Sequence, residues 1–414
     1  MNKWPQVSRC AVCVLVLSLV TGHSSLVTVE AAPHVERHEG FPVVYLEGSP
    51  YELGYQHGEF LGEAVRKSVG QILGYFRRYL KIPLLDAWAA NGWLDRSWRM
   101  AAPFLPHESL EELRGLSEAS GVPLKDLWRL HAIPDRTYAC SGLAAWGRAT
   151  VGGRLVHTRN LDWNIKVGLQ QYAAVFVVRP RGKRAFINVG WAGFIGVLTG
   201  INDQQLSIGQ VGAETVDVTY RGLPMVFLMR RILEEAEDLD GAVRLVRDAP
   251  RTVGVNYLLA DAKARRAVAI ETTHRAVAVF EANDPKEHPV PYARPIPDVV
   301  FRADPAIDPE IRNRQVASGG DPRTPGLESP GGSAYEVRYL GQAAGIRASY
   351  GKIDAKIAKR IARAVAPGSN IQSVVFAWPE AWIANAQGDT RAAETAYHRL
   401  DLEELLENRH FHSR

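Results

Sequence analysis

The chain has 414 residues, 46% of them hydrophobic, which is enough to bury a large core and long for a typical small domain. Formal net charge is +4 and the isoelectric point is near 8.9, but the lysines and arginines are scattered. With no basic stripe interleaved with aromatics, a nucleic-acid partner is not expected. The sequence holds no Gly-x-Ser-x-Gly, no zinc-type His/Cys spacing and no phosphate loop, so neither a metal nor a cofactor is expected.

Lys3 and Arg9 precede an apolar run from Ala11 to Val20, and small and polar residues follow to Ala32. That is the layout of a secretory signal over residues 1–32, with Val29-Glu30-Ala31 or Glu30-Ala31-Ala32 as its cleavage site. The run is short for a bilayer span, so the expectation is a secreted or periplasmic protein with no membrane span once the signal is removed. An uncleaved anchor is the alternative. Cys10 and Cys13 lie inside this segment, so its removal leaves Cys140 as the single cysteine. In an exported protein that cysteine is not a disulfide staple.

A strand is expected over Pro42 to Glu47. Ser49-Pro50-Tyr51-Glu52 then reads as a capping box with proline at the first helical position. The helix it opens carries Leu53, Phe60, Leu61, Val65, Val69, Ile72, Leu73 and Phe76 at three- and four-residue spacing. Gly54 and Gly58 on it permit close packing. Glu108 to Ser120, closed by Gly121, and Leu124 to Ala132 read as further helices, so residues 33–139 are mainly helical.

Beyond Cys140 the texture changes to strands: Leu155 to Thr158, Ala173 to Val178, Ala185 to Val189, Val197 to Ile201 and Leu206 to Gln210. Helices at Leu223 to Ala236 and Asp240 to Ala249 follow. Strands return at Tyr257 to Ala260, Ala267 to Glu271 and Val277 to Phe280. Glu281 to Gly332, rich in Pro, Asp and Gly, reads as a long loop. A last helix spans Asp354 to Ala364, with strands Ser373 to Ala377 and Glu380 to Ala384 after it. Runs of strands alternating with runs of helices point to an α+β fold.

The chemistry centres on Tyr138-Ala139-Cys140-Ser141-Gly142 and Arg159-Asn160-Leu161-Asp162-Trp163. A free thiol is mostly protonated at neutral pH, so a nucleophilic cysteine needs a base and a positive charge nearby. The turn signal Thr150-Val151-Gly152-Gly153-Arg154 predicts a hairpin that returns Arg159 and Asp162 to Cys140.

Cys140-Ser141, a Gly-Gly turn and Arg159-Asn160-Leu161-Asp162-Trp163 resemble the cysteine N-terminal nucleophile hydrolases. Within them the chain looks most like the autoproteolytic acyl-coenzyme A:6-aminopenicillanic acid acyltransferase family. The resemblance runs from about Val43 to Leu402. It implies a four-layer αββα sandwich with two antiparallel sheets between helices, preceded by a helical pro-segment. It also implies self-cleavage between Ala139 and Cys140, giving an alpha part (33–139) retained as a subunit and a catalytic beta part (140–414) with the long loop 281–332.

In that likeness the Cys140 thiol is the nucleophile and its freed alpha-amine the base. Asp162 holds the amine, and Arg159 favours thiolate and helps bind substrate. Asn256 matches the family's oxyanion donor. Bile salt hydrolases have a second asparagine where this chain has Val211-Gly212-Ala213, so the backbone N–H groups of Gly212 or Ala213 are the candidates here. Arg338, in Ser333-Ala334-Tyr335-Glu336-Val337-Arg338-Tyr339, matches an arginine that supports the site.

The implied activity is that of an exported amidohydrolase or acyltransferase acting on small-molecule linear amides (C–N bonds other than peptide bonds) or activated acyl groups through a Cys140 thioester. Two alternatives stand beside it. One is a papain-like Cys-His hydrolase using His157 or His131. The other is a non-catalytic secreted binding protein that would stay uncut.

Overall fold

A computed structural model describes residues 33–38, 41–79, 86–135, 139–315, 328–329 and 332–407. The signal read over residues 1–32 and the tail after Glu407 lie outside the described residues. Strands β1 (His34–His38) and β2 (Phe41–Gly48) pair antiparallel. Four helices follow: α1 (Pro50–Tyr79), α2 (Asp86–Ala101), α3 (His107–Ser120) and α4 (Leu124–Ala132). The capping box at the start of α1 forms as read. The Ser49 backbone N–H donates to Glu52 Oε2 at 2.7 Å, and the Glu52 N–H donates to Ser49 Oγ at 3.4 Å.

Gly54 and Gly58 face another helix, α3. A Cβ built on Gly54 would lie 1.8 Å from the Glu112 carbonyl oxygen, and one on Gly115 would lie 2.2 Å from that of Tyr51. Only glycine lets these two backbones approach so closely. Helix α2 was not anticipated from the sequence: its apolar stripe is built from Trp, Ala and Leu, interrupted by Gly92.

The hairpin β3 (Ala139–Gly147) and β4 (Gly153–Asp162) comes next, as the glycine turn requires. Then come β5 (Ala173–Pro180), β6 (Phe186–Trp191), β7 (Thr199–Asn202) and β8 (Leu206–Gly212). Helices α5 (Met225–Glu235) and α6 (Leu239–Asp248) lead into β9 (Val255–Asp261), β10 (Arg266–Thr272) and β11 (Val277–Phe280). Strand β12 (Val299–Arg302), the short α7 (Pro309–Asn313) and the two-residue strands β13 (Glu328–Ser329) and β14 (Gly332–Ser333) lie within the stretch read as a loop. Last are α8 (Ala334–Ala348), α9 (Ala355–Val365), β15 (Asn370–Ala377), β16 (Glu380–Asn385), β17 (His398–Asp401) and α10 (Leu402–Glu407).

The strands form a nine-stranded sheet, β1-β2-β5-β6-β7-β8-β9-β10-β11, and a six-stranded sheet, β12-β3-β4-β15-β16-β17. Pairing is antiparallel except between β2 and β5, where four helices and the β3–β4 hairpin intervene and make a parallel crossover feasible. One core joins α1 to α6 with the outer face of the nine-stranded sheet. A second fills the space between the sheets and continues to α8 and α9 beyond the six-stranded sheet. The result is the expected α+β sandwich of two sheets between helical layers. Among the described residues no helix is long and apolar enough to cross a membrane.

Candidate active site

Period-two alternation along β3 and β4 sorts their side chains between two compartments. Cys140 lies opposite Leu161 in the ladder and shares its face with Arg159, toward the nine-stranded sheet. Ser141 and Asn160, on the other face, look toward the outer helices, and Asn160 Nδ2 donates to the Ala362 carbonyl on α9. Gly209 on β8 makes room for the arginine: a Cβ there would sit 2.9 Å from Arg159 Cγ.

Arg159 is buried and fully engaged. Its Nη2 donates to Cys140 Sγ at 3.1 Å and to Gln210 Oε1 at 2.7 Å. Its Nε donates to the Gln210 carbonyl at 3.0 Å, and its Nη1 to Thr199 Oγ1 at 2.9 Å. The Cys140 thiol also lies 3.4 Å from Gln210 Oε1. Burial pushes this thiol up to about 11, although Arg159 and the Asp162 backbone N–H pull it down, while Asp162 and Asp304 raise it further. Arg159 acts in the expected direction, favouring the thiolate, while desolvation outweighs it in the uncut chain.

The peptide nitrogen of Cys140 meets a carboxylate that the sequence reading did not name. Its N–H donates to Asp304 Oδ1 at 3.0 Å, whereas Asp162 is held by Arg338 Nη2 at 2.5 Å and by Asn370 Nδ2 at 3.1 Å. Arg338 lies between the carboxylates, with Nη1 on Asp304 Oδ2 at 3.3 Å and Nη2 also on Ser141 Oγ at 3.0 Å. Burial raises Asp304 to about 7 against the opposing pull of Arg338, and raises Asp162 for the same reason. Burial opposes the charge on Arg338, but the two carboxylates together outweigh it and keep the guanidinium protonated. A bulge in β15, where Ile371 is the extra residue between Asn370 and Gln372, turns the Asn370 amide onto Asp162.

Asn256, at the start of β9, lies beside this cluster. Its Nδ2 faces three carbonyl oxygens, those of Ala303 at 3.2 Å, Asp304 at 3.4 Å and Gly212 at 3.5 Å. Gly212 ends β8 opposite Val255, and Ala213 follows it beside Gly254. So the structure gathers Cys140, Arg159, Asp162 and Arg338 around one point, with Asn256, Gly212 and Ala213 at its edge.

Neither histidine of the papain-like alternative touches Cys140. His157 lies opposite Ala144, four residues along the strand, with Nδ1 on Ser207 Oγ at 2.8 Å. His131 bonds the Leu127 carbonyl through Nδ1, and its Nε2 accepts from the Ile195 N–H at 2.9 Å. Burial holds both rings neutral, at about 3 for His157 and about 4 for His131. That alternative is corrected: strand alternation and packing put both rings elsewhere.

Sequence reasoning missed Asp304, Gln210 and Asn370 as members of the site. Asp304 follows β12, Val299 to Arg302, inside the Pro- and Asp-rich stretch read as a loop. Gln210 precedes the residues inspected for an oxyanion donor. Asn370 carried no signal, because only the bulge aims it.

Beside the cluster lies an apolar pocket of about 620 Å³ that includes its open mouth. Arg159, Asp162 and Gln210 form its polar wall, and Ile72, Leu130, Leu161, Trp163, Trp191, Phe194 and Met225 are among its apolar walls. Helices α1 and α4, from the segment before Cys140, line it together with strand residues.

The family described as acyl-coenzyme A:6-aminopenicillanic acid acyl-transferase matches residues 150–288, which include Arg159, Asp162, Gln210 and Asn256. Protein dcd1B of Dictyostelium discoideum is 29% identical over 300 residues, 66% of this chain and 59% of that protein. An N-acylethanolamine-hydrolyzing acid amidase of Cavia porcellus is 23% identical over 178 residues, 40% of this chain and 49% of that protein. The solved structure of a Caenorhabditis elegans ortholog of that amidase aligns with a TM-score of 0.41 at 16% identity, over 57% of this chain and 92% of its own. This chain spans less than two thirds of the length of the Dictyostelium relatives. The resemblance read from the sequence is thereby shown over residues 150–288, where the chain is similar to the family described as acyl-coenzyme A:6-aminopenicillanic acid acyl-transferase.

Proposed function

We propose that the chain is an autoproteolytic amidohydrolase or acyltransferase that works through a Cys140 thioester on amides of apolar acyl groups. The observation that carries this reading is that one buried residue has both of its reactive atoms engaged by charged groups, Sγ by Arg159 and N by Asp304.

In the uncut chain Cys140 N is a peptide nitrogen. Maturation begins when Sγ adds to the Ala139 carbonyl carbon. The Ala139–Cys140 C–N bond then breaks, and the thiol proton goes to the departing nitrogen. Water hydrolyses the resulting thioester and frees the Ala139 carboxylate. The new alpha-amine has an ordinary pKa of about 7.7–8.0, which suits a base at neutral pH. Asp304 already accepts from this nitrogen and would hold it as an ammonium, with Asp162 behind it through Arg338.

In turnover the amine takes the thiol proton as Sγ attacks the substrate carbonyl, and returns it to the leaving amine nitrogen. Water, or an acceptor amine, then resolves the acyl-thioester. A thiol raised by burial makes this coupled proton transfer necessary, since little free thiolate exists to attack alone. The adjoining pocket has apolar walls and one polar end, which suits an acyl chain whose carbonyl stops at Arg159 and Gln210. The activities for which the relatives are named, amide hydrolysis and acyl transfer, support this class. Lys3, Arg9 and the run Ala11 to Val20 support export before maturation.

The test is a panel of acyl amides and acyl thioesters of increasing chain length, with intact-mass detection. Wild type should yield a fragment beginning at Cys140 and a transient acyl adduct on it, while Cys140→Ala should stay uncut and inactive. An active protein that retains an intact Ala139–Cys140 bond would overturn the maturation step. Turnover surviving in Cys140→Ala would overturn the nucleophile.

A further inference from the structure

We infer that the side-chain amide of Gln210 is an oxyanion donor of this site, a role that rests on the thioester reading above. Gln210 is wholly buried, and its Nε2 has no hydrogen-bond partner among the described residues. A buried N–H with no acceptor costs about 1–3 kcal/mol, so its retention calls for a use. Its orientation is dictated by its neighbours. Arg159 Nη2 has only hydrogens to offer, and it lies 2.7 Å from Oε1. Exchanging the amide oxygen and nitrogen would set donor against donor. Oε1 therefore stays on Arg159 and the thiol, and Nε2 is left free.

Gln210 lines the pocket that an acyl group would enter. Ile208 and Leu206 on β8 pack into the core on the helix side, and by alternation Gln210 leaves the strand on that side too. There it forms the polar wall of the apolar pocket with Arg159 and Asp162. Its Oε1 is 3.4 Å from Cys140 Sγ, which puts the amide group beside the attacking sulfur. By contrast, the Asn256 amide nitrogen is faced by three carbonyl oxygens and its unpartnered atom is Oδ1, an acceptor.

When the Cys140 sulfur bonds to the substrate carbonyl carbon, the π pair moves onto oxygen. Gln210 Nε2–H donates to that oxygen, most strongly once it carries the charge. As the pair returns, the C–N bond breaks and the amine leaves with the proton taken from the thiol. A donor used this way lowers the barrier without tightening ground-state binding.

Gln210→Glu keeps an acceptor for Arg159 but has no N–H, and Gln210→Met removes both functions at similar size. On fully processed protein, each should lower kcat by about a hundredfold to a thousandfold with KM nearly unchanged. An acyl aldehyde, whose thiol adduct places oxygen at this position, should bind more weakly by a similar factor. The matching non-reacting alcohol should bind as before. The rate of Cys140 alkylation by iodoacetamide separates this role from support of Arg159. A kcat loss no larger than the alkylation loss, or wild-type kcat in Gln210→Met, would overturn the assignment while leaving the thioester reading intact. A wild-type protein with no Cys140-dependent turnover would remove both.

Discussion

Cys140 lies where two large effects oppose each other, and desolvation prevails over a guanidinium at 3.1 Å. Arg159 holds the sulfur and Gln210 in register and pulls the thiol pKa down against burial. Arg159→Leu should raise the thiol pKa further. Thiolate at a fixed pH below the pKa falls about tenfold for each rise of one in that pKa, so iodoacetamide alkylation at pH 8 should slow by about tenfold or more. An unchanged rate would remove the contact from the chemistry.

Asp304 makes a second test at this scale. Its carboxyl, raised to about 7 by burial, faces Cys140 N, Arg338 and, through that arginine, Asp162. The charged form exists above that value and is the better acceptor for the nitrogen of Cys140. Self-cleavage of purified precursor should accordingly quicken as pH rises through about 7, and Asp304→Asn should flatten that rise. A profile identical in the variant would return the role to Asp162.

At the scale of elements, the hairpin β3–β4 could be read from its glycine turn because two local signals, glycine for the turn and alternation for the strands, agreed. Strand β12 could not. Its four residues stand in a Pro-rich stretch, and it becomes a strand only by pairing with the edge of β3, Phe301 opposite Leu143 and Arg302 opposite Gly142. That pairing delivers Asp304 to Cys140. The α1–α3 contact shows the same dependence, since Gly54 and Gly58 announced a close approach without naming the partner. Gly54→Val would drive a side chain into the Glu112 carbonyl. It should cost about 4 kcal/mol or more, or prevent folding altogether, as read by urea unfolding of Cys140→Ala precursor. A loss under about 1 kcal/mol would mean that the helices are not so closely packed.

Across the whole molecule, the segment before Cys140 is woven into the part after it. Glu112 on α3 pairs with Arg230 on α5 at 2.6 Å, both buried, and Arg230 also bonds Glu234 at 2.7 Å. His57 Nε2 accepts from the Gly193 N–H at 3.0 Å and His131 Nε2 from that of Ile195, which brackets the turn bearing Phe194 of the pocket. Scission at Ala139–Cys140 leaves these contacts untouched, so the two fragments should elute together on gel filtration and separate only in denaturant. Fragments that part under native conditions would contradict this. Glu112→Ala removes one of the two buried carboxylates on Arg230 and leaves Glu234, so it should cost about 1–3 kcal/mol, measured by denaturant unfolding of the precursor.

The sequence by itself determined the helical first third, the strand-rich remainder, the capping box, the hairpin and the single cysteine with Arg159 and Asp162 beside it. Each of these rests on interactions between residues near one another in the chain, and local spacing records them. The tertiary structure alone decided that Asp304 meets the peptide nitrogen of Cys140, that the Gln210 side chain meets the sulfur, and that helices α1 and α4 wall the pocket. These depend on partners 164 residues apart for Asp304 and 70 for Gln210. They also depend on how far burial lifts a thiol and a carboxylate, and burial is a property of the packed core that spacing in the chain does not encode.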